Sequence, residues 1–211
     1  MARLDWNATG VRFYETGVDR GVLYVGDAPG VAWTGLTSIN EAPTGGDARA
    51  FYIDGVKYLN LASSEEFEAT INAFSSPPEF GPCDGTVSIQ NGLFVTQQPR
   101  KQFGFSYRTK IGNDTDGAEH AYKIHLVYNA LAKPSSRDNG TMGDSTDPTG
   151  FSWAITTLPP SMTGYKPTAH MVIDSRYTLA STLVTVEDIL YGSDTNSPRL
   201  PSPDELIAIF A

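Results

Sequence analysis

Apolar and polar residues alternate with period two through much of this chain, the spacing of strands that bury one face. Phe103, Phe105, Tyr107 and Thr109 alternate with Gly104, Ser106, Arg108 and Lys110, and Tyr122, Ile124, Leu126 and Tyr128 alternate with Lys123, His125 and Val127. Between these runs lies Gly112-Asn113-Asp114-Thr115-Asp116-Gly117, a polar turn, so the two runs predict a hairpin. A second hairpin is predicted from Phe51 to Leu61, where Asp54-Gly55 supplies the tight turn. Phe67, Ala69, Ile71 and Ala73 alternate with Glu68, Thr70 and Asn72, which predicts a strand over 66–74 although its glutamates favour helix. Further strands are predicted over 151–157 and 168–175.

Helical signals are few. Ser202-Pro203-Asp204-Glu205 opens a helix over 202–211, with a capping serine, proline at the first helical position and acids at the positive end. A second short helix is predicted after Thr185, with Glu187 and Asp188 in its first turn. Three segments read as arms or loops: 1–30, rich in Gly and charge; 41–50, holding Pro43-Thr44-Gly45-Gly46; and 133–150, dense in Ser, Asp, Gly and Pro. The expectation is a mainly β chain, a sandwich or barrel-like single domain over 1–211, with one or two short helices and long loops.

Composition supports this reading. The 211 residues are 40% hydrophobic and 18% charged, with ten Tyr and ten Phe. Such a chain can bury a core without disulfides or metals. The net charge of −9 disfavours a grip on nucleic acid phosphates, although it permits a surface that DNA slides past. Cys83 is the single cysteine, which rules out a disulfide framework within the chain and a cysteine-based zinc site. The first residues carry no signal-peptide pattern, and no apolar run reaches the roughly 20 residues of a membrane helix, so a cytoplasmic, membrane-free protein is expected.

Chemistry finds little material. His120 and His125 are five residues apart, and on a strand their side chains point to opposite faces; with His170 they read as ordinary surface or hairpin residues, and no metal site is expected. The acidic turn after Gly112 fails as a calcium loop, because its twelfth position is Ile124 where a bidentate acid is needed. No Gly-x-Ser-x-Gly, Walker loop or dinucleotide fingerprint occurs, so neither an enzyme nor a cofactor is expected. Arg100 and Lys101 form a basic knot that suits either an acidic patch on a neighbouring copy or a solvated strand entrance.

The run Gln97-Gln98-Pro99-Arg100-Lys101-Gln102-Phe103-Gly104-Phe105-Ser106-Tyr107-Arg108-Thr109-Lys110 resembles a stretch of the major tail (tail tube) proteins of long-tailed, non-contractile phages, particularly those of actinobacterial hosts. So do 122–129, 41–46, 54–60, 67–71 and 198–206, in order along nearly the whole chain. The resemblance implies subunits that join into rings, usually hexameric, which stack into a tube. It also implies tape-measure, tail-tip and terminator proteins as partners, double-stranded DNA passing without specific binding, and a place in the virion tail. Within that frame Glu66 and Glu68 are expected to face the lumen. Glu41, Pro43, Gly45, Gly46 and Asp47 are expected to form an inter-ring stacking loop, and Arg100 and Lys101 an inter-subunit contact. The main competing expectation is a carbohydrate-binding sandwich that uses Trp6, Trp33 or Trp153 as a platform, although Trp153 reads as core.

Overall fold

A computed structural model describes residues 4–141 and 148–211. The strands are β1 (Tyr14–Tyr24), β2 (Val31–Trp33), β3 (Leu36–Glu41), β4 (Thr44–Gly45), β5 (Ala48–Ile53), β6 (Val56–Ala62), β7 (Glu65–Glu66), β8 (Glu68–Ala73), β9 (Val87–Gln90), β10 (Leu93–Val95), β11 (Phe103–Asn113), β12 (Gly117–Ala132), β13 (Phe151–Thr157) and β14 (His170–Asp174). The helices are α1 (Gly81–Asp84), α2 (Ala180–Tyr191) and α3 (Pro203–Phe210).

One antiparallel sheet dominates, in the order β2-β1-β11-β12-β13-β8-β3, with β14 pairing along β12 as well. β12 serves both halves: residues 123–127 pair with β14, whereas residues 130–132 pair with β13. The sheet therefore splits and curls at this strand. Its far strand, β3, returns alongside β1, which leaves a seam between them.

The curl encloses an inner core of Trp33, Ile71, Phe80, Phe103, Phe105, Tyr107, Trp153 and their neighbours. Aromatic rings fill it edge to face, with Trp33–Trp153 centroids at 5.6 Å and Phe80–Trp153 at 5.2 Å. The opposite face of β12 carries Ile124, Leu126 and Tyr128, which pack against Val186 and Leu190 of α2 and Leu206 of α3. Both faces of the middle of β12 are thus covered, so His125 and Val127, on the nominally polar side of the alternation, are buried too. Each large side chain so buried contributes about 1.5–3 kcal/mol.

Both expected hairpins form. β11 and β12 pair around the 113–117 turn, where Asn113 Oδ1 accepts from the Thr115 and Asp116 amides. β5 and β6 meet at Asp54-Gly55, both at positive φ as a tight hairpin turn requires. The strand over 68–73 alternates as expected, with Ala69, Ile71 and Ala73 buried. Ser202 caps α3 by accepting from the Glu205 amide.

Three expectations are corrected. Residues 14–24, placed in an arm over 1–30, form the long strand β1, with Val22, Leu23 and Tyr24 buried. Bulges between Thr16 and Val18 and between Asp19 and Val22, with Gly17 and Arg20 at positive φ, break its period-two pattern. The second helix begins at Ala180, earlier than its acidic turn implied. The 41–50 segment is the start of a paired ribbon. The loop over 133–150 carries no regular structure where it is described, and residues 142–147 of it lie outside the described residues.

Candidate assembly surface

Between Glu41 and Glu68 the chain leaves the curled sheet as a two-stranded ribbon. β4 pairs with β7 at its root and β5 with β6 towards its tip, and none of these four pairs with any other strand among the described residues. Residues 42–53 could reach up to roughly 40 Å at 3.3 Å per residue. Gly45 and Gly46 bend the root at positive φ, and a Cβ at Gly45 would collide with the Ser64 carbonyl oxygen. Phe51, Tyr52, Ile53, Val56, Tyr58, Leu59 and Leu61 are all exposed on this ribbon, Val56 at 69% and Tyr58 at 66%. A lone two-stranded ribbon is marginal in water, and one clad in large apolar side chains is an association surface. A second small ribbon, β9–β10, exposes Ile89, Leu93 and Phe94 in the same way.

The residues expected to act at contacts are separated by the fold. Pro43, Gly45, Gly46 and Asp47 lie at the root of the ribbon, ahead of its apolar part. Glu66 is exposed on β7, whereas Glu68, on β8, has its carboxylate 3.0 Å from Lys133 Nζ. Arg100 is turned inward: its Nη1 donates to the Ala132 and Lys133 carbonyls at 3.0 Å each and lies 3.5 Å from Asp84. The guanidinium satisfies strand-end carbonyls of its own subunit. Lys101 stays exposed. Trp33 and Trp153 are 2% exposed inside the core, so of the three tryptophans only Trp6 could offer a sugar platform.

Glu41 has a different place from its loop neighbours. It ends β3 at the seam, where its Oε1 accepts from the Tyr107 hydroxyl at 2.5 Å and lies 3.3 Å from His125 Nδ1. His125 Nδ1 is also 3.2 Å from His170 Nε2, and His125 Nε2 is 3.0 Å from Thr109 Oγ1. The His125 ring stacks on Tyr107 at 4.5 Å and the His170 ring on Phe67 at 4.3 Å. Hydrogen bonding to His125 pulls the Glu41 carboxyl down to about 2, and burial pushes His170 down to about 4. Sequence spacing could not show this cluster. His125 and His170 are diagonal neighbours on β12 and β14, and Glu41 comes from the far end of the sheet path.

No family profile matches the sequence, and no curated protein matches it significantly. Among solved structures the chain is similar to the SPP1 tail tube subunit, at 15% identity over 66% of this chain and 72% of that one, with a TM-score of 0.39. It is similar also to the tube-terminating cap of the anti-feeding prophage, at 12% identity over 83% and 97%, with a TM-score of 0.33. A chain of the extended sheath–tube complex of the PVC extracellular contractile injection system gives 16% identity over 80% and 93%, with a TM-score of 0.32. With every TM-score below 0.5, these likenesses assign no role or partner to this chain.

Proposed function

We propose that this protein is a structural subunit of a phage tail tube, without catalytic activity, which polymerises with copies of itself. The observation that carries the reading is the projecting ribbon. Seven large apolar side chains lie bare on a structure that buries almost none of its own surface. Covering them at about 25 cal/mol per Å² provides a driving force for association. A second copy is the occupant, because identical subunits that each donate a ribbon and receive one leave no apolar ribbon uncovered within the polymer. The outer edges of β2, β3 and β14 have no strand partner in the described chain, and a closed ring removes such edges by pairing them. The tail-protein resemblance of the sequence runs through the same segments.

In this reading the ribbon joins one ring to the next, and residues 41–47 are its hinge. Stacked rings enclose a tape-measure protein during assembly and later conduct double-stranded DNA, with tail-tip and terminator proteins closing the ends of the virion tail. Six copies at −9 each would give a ring −54, a charge that repels phosphates and lets DNA pass. Glu66 is the better candidate for the lumen wall, since the charge of Glu68 is met by Lys133. The carbohydrate-binding alternative keeps only Trp6 as a platform, with Trp33 and Trp153 buried.

The test is sedimentation of the wild type beside a Val56→Asp/Tyr58→Asp variant. Both positions are exposed, so the body keeps its fold, which far-UV circular dichroism checks. The wild type is expected to form rapidly sedimenting polymers as concentration rises, and the variant to stay at monomer mass. Equal polymerisation of the two would overturn the role of the ribbon.

A further inference from the structure

The geometry points to a binding site for one divalent transition metal ion, of the zinc class, formed by Glu41 Oε1, His125 Nδ1 and His170 Nε2. Three donor atoms of the types that bind such metals converge on one spot, all within 4.8 Å of one another. Two of the separations are 3.2 and 3.3 Å. Tetrahedral zinc, with ligands at about 2.0–2.2 Å, places neighbouring donors about 3.3–3.6 Å apart, so these two separations are already near the required spacing. An imidazole pair with one carboxylate suits zinc, nickel, cobalt or copper better than calcium or magnesium, which prefer all-oxygen shells.

The surroundings supply the supporting groups that such sites use. Thr109 Oγ1 can accept from His125 Nε2–H, which leaves the Nδ1 lone pair directed at the centre. The Tyr107 hydroxyl donates to the same Glu41 oxygen and orients the carboxylate. Without an ion, a single proton on His125 Nδ1 has to be shared between Glu41 and His170, whereas a cation answers all three donors together. Access runs through the seam between β1 and β3, a groove of about 290 Å³ that Glu41, Tyr107 and Thr109 help to line.

The site would have a mechanical effect, because both roots of the ribbon meet it. Glu41 is the last residue before the ribbon leaves, and Phe67, stacked on His170, is where it returns. A bound ion would fix the outgoing strand to β12 and β14 and restrain the ribbon at its base. The binding site goes beyond the tail-tube reading and stands without it.

Titration of the metal-stripped full-length protein with Co²⁺, followed by visible absorption, tests the inference. One equivalent is expected to bind with a tetrahedral ligand-field spectrum and to be displaced by Zn²⁺. Glu41→Gln and His170→Gln should each weaken Co²⁺ binding by more than the roughly 10–100-fold that loss of a mere supporting group costs. Near-UV circular dichroism checks that both variants stay folded. His120→Gln should bind like the wild type, because His120 pairs with Asp116 at the β11–β12 turn. Hydrogen exchange of residues 42–47 should slow when Zn²⁺ is added. No saturable Co²⁺ binding by the wild type, or undiminished binding in folded His170→Gln, would overturn the site and leave a proton-sharing histidine pair only.

Discussion

Asp19 and Arg108 show how single residues hold the bulged strand β1 in place. Arg108 donates to both carboxylate oxygens of Asp19 at 2.7 Å and lies 4.8 Å over the Tyr122 ring, so one guanidinium ties β1, β11 and β12 together. The hydrogen bonds from Arg108 hold the Asp19 carboxyl below the usual carboxylate range. Stability from this pair is therefore fully present above the unfolded carboxylate pKa of about 3.9 and is lost as pH falls through the lower folded value. Asp19→Asn should cost about 2 kcal/mol at neutral pH. In urea unfolding, its gap from the wild type should close as pH falls below about 4. A gap independent of pH would mean that the pair adds no charge-linked stability. The histidine cluster lives on the same scale and was invisible in the sequence. Alternation correctly put His120 and His125 on opposite faces, but only strand order brings His170 and Glu41 to His125.

At the scale of elements, legibility follows regularity. The β11–β12 hairpin and the strand over 68–73 were readable from alternation, and the β5–β6 hairpin from two apolar arms around Asp54-Gly55. β1 was not readable, since its two bulges reset the period twice within eleven residues. The short strands β2, β9 and β10 leave too few residues for a period to register. Helix α3 was legible from its cap, and its packing explains why it matters. Leu206 is 2% exposed and closes the outer core over Tyr128 and Leu126. Leu206→Ala should lower unfolding stability by about 2–5 kcal/mol, read from the urea midpoint at an unchanged slope. A loss below about 0.5 kcal/mol, the scale of a tolerated surface change, would show that α3 is not part of the core. The ribbon carries the opposite lesson. Its strands were readable, but apolar arms imply a covered face, and within one subunit the ribbon has none.

The whole molecule joins a well-covered body to an uncovered ribbon. The body buries two cores on either side of one curled sheet, while the ribbon leaves Val56 and Tyr58 two-thirds exposed. A net charge of −9 opposes premature association through mutual repulsion, and salt screens that repulsion over about 10 Å at 0.1 M. Under the proposed function, polymerisation would require the apolar gain at the ribbon to exceed the repulsion between bodies, a balance that depends on concentration and ionic strength. The measurement that tests this account most directly is negative-stain electron microscopy of the purified wild-type protein, concentrated at physiological ionic strength. Hollow tubes or stacked rings are the predicted result. Discrete single subunits from micromolar to near-millimolar concentration, with no polymer at any point, would contradict it.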